Sequence, residues 1–176
     1  VTYTGERNER GERHGQGVWE LPNGHRWTGE WKDDKLHEGV WEWEYPDGFR
    51  PAAWVEADGF RYDGQFKDYL PHGQGVIQYG NGSRYDGQWK DGEQHGQGVY
   101  KYEDGSLHIR YDGQWKDGKK HGQGLWEYAN GDRYDGQFKD DKQHGQGVYE
   151  YADGRRWTGE WKDGIRHGQG DYEEPN

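Results

Sequence analysis

The sequence predicts an all-β chain, an elongated single-layered antiparallel meander of β-hairpins built from about seven 23-residue repeats. Three observations predict it. An aromatic-x-Gly-x-aromatic element begins at Tyr3, Trp27, Tyr62, Tyr85, Tyr111, Tyr134 and Trp157, with Arg7 replacing the second ring in the first copy. A second element, His-Gly-Gln-Gly and then an apolar residue, begins at His14, His72, His95, His121 and His144; at His167 the apolar residue becomes Asp171, and at His37 the element shrinks to His-Glu-Gly. An Asx-Gly pair then closes most units, at Asn23-Gly24, Asn81-Gly82, Asp104-Gly105, Asn130-Gly131 and Asp153-Gly154. Self-similarity at a fixed period is the signature of a repeat architecture.

Each element has a local reason. In YDGQWK, alternation places Tyr111, Gly113 and Trp115 on one face and Asp112, Gln114 and Lys116 on the other. In HGQGLWEY, Gly122, Gly124, Trp126 and Tyr128 share a face opposite His121, Gln123, Leu125 and Glu127. The Asx-Gly pairs supply the positive φ of tight hairpin turns. The loop inside the unit varies, with Gly118 in one copy and Tyr69 and Pro71 in another, so several loop geometries are expected there. Side chains paired across a ladder sit about 5 Å apart, and a ring facing glycine can lie flat across bare backbone. That accounts for the 32 glycines without a ligand.

Composition agrees. Only 28% of the 176 residues are hydrophobic, yet 29 are aromatic against 15 Val, Ile and Leu. A disordered chain is poor in rings, and each ring buries roughly 150–250 Å². A net charge of −11 repels phosphate backbones and anionic surfaces, which counts against nucleic acid. The absence of cysteine fits an intracellular, reducing setting. No apolar run approaches the roughly 20 residues needed to span a bilayer. A chain that starts at Val1 without any methionine reads as an excerpt of something longer.

Two stretches break the period. Between Trp27 and Tyr62 there are surplus residues, an insertion over about 40–61 whose Trp41, Trp43, Phe49 and Trp54 are contact candidates. It is either an extra strand or a projecting loop; an odd strand would reverse every later hairpin, which favours the loop. A smaller insertion, Leu107 to Ile109, disturbs the join before Tyr111. At the far end, Asp171 and the Glu-Glu-Pro-Asn tail suggest a blunted edge, while an open meander leaves edges for self-association into a homodimer.

Chemistry is poorly supplied. Equivalent histidines in neighbouring hairpins lie roughly 9–10 Å apart and cannot share one metal ion; each imidazole is expected to bond a turn or strand end. Ser83 and Ser106 sit beside turn glycines rather than on a nucleophile elbow. No cofactor, metal or catalytic set is expected.

The Y-x-G-x-W, HGxG-x-Y and DG pattern resembles the MORN (membrane occupation and recognition nexus) repeat over essentially the whole chain. The first unit, Tyr3 to Gly24, is similar to the opening repeat of radial spoke head MORN proteins of cilia and flagella, including Arg7 in place of a ring. The resemblance implies a non-enzymatic scaffold with an aromatic groove that takes a partner's helix or extended peptide. Groove candidates are Trp27, Trp31, Tyr62, Phe66, Tyr85, Trp89, Tyr111, Trp115, Tyr134, Phe138, Trp157 and Trp161. It further implies an axonemal or other cytoskeletal assembly. Two alternatives carry over from MORN proteins: a phosphoinositide-binding peripheral adaptor, and the regulatory array of a larger enzyme. Lipid ranks below protein because Lys116 to Lys120 is the one modest basic cluster.

Overall fold

The computed structural model describes residues 1–22, 24–43, 60–103 and 105–175. They form an all-β antiparallel meander of hairpins, and the chain divides into two compact units, Val1–Glu93 and Gln94–Asn176. The first unit carries β1 (Thr2–Arg7), β2 (Arg13–Glu20), β3 (Arg26–Lys32), β4 (Lys35–Trp43), β5 (Phe60–Lys67), β6 (Leu70–Tyr79) and β7 (Arg84–Lys90). The second is built from β8 (Glu93–Lys101), β9 (His108–Lys116), β10 (Lys119–Tyr128), β11 (Arg133–Lys139), β12 (Lys142–Glu150), β13 (Arg156–Lys162) and β14 (Ile165–Glu173). Within each unit the strands pair side by side in chain order.

Register is fixed by glycine. In the first unit Gly5, Gly17, Gly29, Gly39, Gly64, Gly75 and Gly87 pair in succession across all seven strands. In the second, Gly98, Gly113, Gly124, Gly136, Gly147, Gly159 and Gly170 do the same. This lane of bare backbone is where the rings lie. A Cβ at Gly75 would collide with the phenol of Tyr62, one at Gly124 with Tyr111, and one at Gly147 with Tyr134. Each phenol then runs along its own strand and donates to the carbonyl three residues on: Tyr62 to Gln65, Tyr85 to Gln88 and Tyr111 to Gln114 at 2.8 Å, Tyr134 to Gln137 at 2.9 Å.

The loop inside the unit has two geometries: in the first repeat residues 8–12 form a longer loop with Gly11 at φ 79°, and the other six repeats share one turn. All six Lys-Asp turns place both central residues at positive φ, as a two-residue type I′ turn demands, from Asp33 and Asp34 (48° and 67°) to Asp163 and Gly164 (51° and 83°). Even Tyr69 adopts φ 64°, and its hydroxyl donates to the Asp34 carbonyl at 2.8 Å. The Asx-Gly turns divide the work differently. Gly131 takes φ 92° while Asn130 stays right-handed, its Oδ1 accepting the Asp132 N–H at 3.0 Å.

His-Gly-Gln-Gly is a bulge as well as a strand. Trp115 faces Lys120 and Gly113 faces Gly124, so Gln114 alone spans His121, Gly122 and Gln123. Gly122 turns to φ 71°, and the Gln114 amide oxygen fills the gap by accepting the Gln123 N–H at 2.7 Å. Gln65 and Gln137 repeat the contact with Gln74 and Gln146. In β4 the shorter element leaves one extra residue, His37, between the Trp31–Leu36 and Glu30–Glu38 pairs. No left-handed residue is needed, and Glu38 stands there without strain.

β4 pairs directly with β5, ending at Trp43 opposite Phe60. No strand separates them, and residues 40–43 and 60–61 of the expected insertion belong to the sheet. The projecting loop, Phe49, Trp54 and the side chain of Trp43 lie outside the described residues. The smaller insertion lengthens β9, with a bulge that sets His108 opposite Tyr128.

Candidate protein-binding face

The twelve rings expected to line a groove are instead the core. All are between 0 and 8% exposed. In five repeats the first ring meets the second edge-on, as in Tyr85 with Trp89 at 5.1 Å and 89°, Tyr111 with Trp115 at 5.1 Å and 90°, and Trp157 with Trp161 at 5.5 Å and 88°. It also meets the second ring of the next repeat, as in Tyr62–Trp89 at 5.3 Å, Tyr111–Phe138 at 5.0 Å and Tyr134–Trp161 at 5.0 Å. Each such pair contributes about 0.5–1.5 kcal/mol beyond burial. Indole N–H groups of the second ring reach back to the glycine lane, from Trp31 to the Gly17 carbonyl, Trp89 to Gly75 and Trp115 to Gly98, at 2.9–3.1 Å. A groove wall would need these rings open, and flat packing on glycine has closed them. Trp27 differs from the other first rings, stacking at 5.5 Å and 9° on Trp41.

The surface is a different row on the same face, one the sequence analysis did not single out as a site. It is the second residue after His-Gly-Gln-Gly: Trp19, Ile77, Tyr100, Trp126 and Tyr149 are half-buried, as is Trp41, and Tyr172 is 48% exposed. Of these only Trp41 was among the expected contacts, through the insertion. In the second unit the row merges with neighbouring rings into one layer. Tyr100 meets Tyr102 at 4.5 Å, Trp126 meets Tyr128 at 5.6 Å, Tyr128 meets Tyr149 at 5.7 Å and Tyr149 meets Tyr151 at 5.0 Å. His108, from the small insertion, stacks on Trp126 at 4.2 Å and 18°.

At Arg13 and Lys120 the residue before the element's histidine is a cation that lies among rings. Lys120 is 91% buried on the complement of its 9% exposure, with Nζ 5.0 Å from the Trp126 centroid and 5.6–5.7 Å from those of Tyr111, Trp115 and Tyr102. Burial lowers its pKa, and Asp141 partly offsets the shift. Arg13 lies 4.7 Å over Trp19 and 4.6 Å over Trp31. Burial likewise raises the phenols of Tyr62, Tyr85, Tyr134 and Tyr149 above the ordinary value. Asp132 is buried, which by itself would raise its pKa; donation from Tyr149, Ala152 and Asn130 holds it below the usual range.

The histidine expectation finds support in two places: His72 Nδ1 accepts the Asp91 N–H at 3.3 Å, and His14 Nδ1 stands 3.5 Å from Asp33. Nδ1 of His95 and His144 is buried without a hydrogen-bond partner among the described residues. Among those residues no group of three His, Asp or Glu could hold a metal ion, and no helix is long and apolar enough to cross a membrane.

The MORN repeat family matches the chain seven times, at residues 9–26, 27–48, 62–84, 85–107, 111–133, 134–155 and 157–176. The chain therefore belongs to the MORN-repeat family. Its repeats make it a repeat-based binding scaffold in class. No curated protein matches it significantly.

Proposed function

We propose that the chain is a non-enzymatic scaffold whose ring face docks a helix or extended segment of a partner protein, within an axonemal or other cytoskeletal assembly. One observation carries the docking reading. Tyr100, Trp126 and Tyr149 remain half-open on a face whose interior is already filled by other rings. Aromatic side chains of this kind anchor interfaces, and their spacing on alternate strands, roughly 9–10 Å, suits successive anchor residues of a helix or strand. The axonemal setting is supported by the likeness of the first repeat to radial spoke head MORN proteins.

A photoreactive phenylalanine analogue placed at position 126, or at Leu125 on the opposite face, tests the reading in cells. The expected result is a discrete cytoskeletal adduct from 126 and none from 125. Adducts from 125 alone, or salt-sensitive capture of the purified chain on phosphoinositide vesicles without protein adducts, would replace the scaffold by a different docking face or by the peripheral adaptor. An adduct to a catalytic domain of the same polypeptide would point to the regulatory array of a larger enzyme.

A further inference from the structure

Three ring pairs stand in equivalent places on the second unit: Tyr100 with Tyr102 at 4.5 Å, Trp126 with Tyr128 at 5.6 Å and Tyr149 with Tyr151 at 5.0 Å. The first members of the pairs lie in one straight register. Tyr100 faces Tyr111, Tyr111 faces Trp126, Trp126 faces Tyr134 and Tyr134 faces Tyr149. Tyr111 and Tyr134 are fully buried, so a half-open pair recurs on every second strand, at a spacing of roughly 9–10 Å. The first unit does not repeat the arrangement, since the same two positions hold Trp19 with Leu21 and Ile77 with Tyr79.

Charge within this layer is already satisfied. Lys120 is buried among the rings with Asp141 3.9 Å from its Nζ. The Asp132 carboxylate accepts from Tyr149 at 2.6 Å, the Ala152 N–H at 2.9 Å and Asn130 at 3.0 Å. What the surface still offers is hydroxyl hydrogens. The Tyr128 hydroxyl accepts from Gln143 Nε2 at 2.8 Å and that of Tyr151 accepts from Arg166, so each keeps its own hydrogen to donate. The complement of such a surface is an uncharged segment whose carbonyls are unbonded. A helix spends its carbonyls internally, whereas polyproline II leaves them open. Spacing selects the same way. One turn of polyproline II, three residues, rises about 9.3 Å, while the seven-residue step that returns a helix to the same face rises about 10.5 Å.

We propose that the ring pairs of the second unit take an uncharged, proline-rich segment of a partner protein in the polyproline II conformation. It runs across the strands, with one proline in every three seated on successive pairs. The inference rests on the docking reading above and narrows its occupant. Proline presents an apolar ring to the face of tyrosine or tryptophan, and its stiff backbone has little freedom to lose on binding. Each hairpin then reads three partner residues, and a segment of about seven reaches all three pairs.

The 176-residue chain is titrated with a capped peptide of four Pro-Pro-Ala triplets, and with a proline-free amphipathic helical peptide of equal length and no net charge. Indole Nε–Hε resonances report binding, and near-ultraviolet circular dichroism confirms that each variant remains folded. The expected result is saturable binding of the proline peptide, tighter than that of the helix. It weakens about tenfold in Trp126→Ala and in Tyr151→Ala, as for anchor residues, and is kept in Leu125→Ser on the opposite face. No binding of the proline peptide at millimolar concentration, unchanged binding by both ring variants, or tighter binding of the helical peptide would overturn the proposal. The adducts formed from position 126 in cells judge the docking reading separately. An adduct to a proline-free segment keeps that reading and removes the polyproline occupant, and no adduct at all removes both.

Discussion

One contact recurs from repeat to repeat, between a ring and a glycine. Tyr111 covers Gly113 on its own strand and Gly124 on the next, and its hydroxyl is held by the Gln114 carbonyl. A methyl group at either glycine must displace the phenol, the backbone, or both. Gly124→Ala is therefore expected to cost about 1–3 kcal/mol, the usual penalty for overpacking a filled core. Urea unfolding of the variant checks it, with Tyr111→Phe as a comparison that removes one hydrogen bond, about 1 kcal/mol, and leaves the packing. Equal midpoints for wild type and Gly124→Ala would mean that the ring does not need the bare backbone. This residue-scale logic was readable in the sequence because the glycines stand at the alternation expected for a ladder. What was not readable is the destination of the rings. Aromatic residues on one face look alike whether they line a groove or close it, and only the edge-to-face pairs of Tyr85 with Trp89 or Tyr134 with Phe138 show closure.

Among elements, the hairpin tips do the joining. Each type I′ turn lays its second residue against the neighbouring hairpin, and at Asp34 the link to Arg13 includes a charge. A double-mutant cycle with Asp34→Gly and Arg13→Gln is expected to give a favourable coupling, since the guanidinium is mostly covered while the carboxylate is half-open. Glycine is the replacement of choice because it accepts the left-handed φ that other turns carry at this position. A coupling near zero would make the link incidental. The turn geometry escaped the sequence analysis for a physical reason. Tyr69 is a poor residue for positive φ, and the contacts that compensate it, to the Asp34 carbonyl and at 5.9 Å to Trp19, lie in other hairpins. The bulge was hidden as well, since its Gly-Gln-Gly also fits a plain alternating strand. β4 shows what the second extra residue does: with His37 alone extra there, no residue of the bulge turns left-handed.

At the scale of the molecule, many buried phenols act together. Those of Tyr62, Tyr85, Tyr134, Tyr149 and Tyr128 are all raised by burial. A group whose folded pKa is raised contributes stability that is complete below the unfolded value, about 10 for tyrosine, and is lost as pH climbs past it. Lys120, lowered by burial, works in the opposite sense, but one amine is outweighed by five phenols. The urea midpoint is expected to hold between pH 7 and 9 from these groups and to fall steeply above about 10, with tyrosinate absorbance rising as the chain unfolds. Tyrosinate forming well before unfolding would show that the phenols are reached by water in the native state. The period, the strand count and the glycine positions were all legible from the sequence, because each recurs and neighbours the next copy. The outer row was missed as a site: its positions recur at the second residue after each His-Gly-Gln-Gly, but single residues of Trp, Ile and Tyr there do not announce which are covered. The glycine lane has one further effect on how such a chain can change over generations. An ordinary interior ties each side chain to a particular distant partner, so gaining or losing a segment spoils the fit elsewhere. Here the first rings rest on main chain that any copy provides and on rings that recur in the next copy, so whole hairpins can be duplicated or deleted while the remainder still fits.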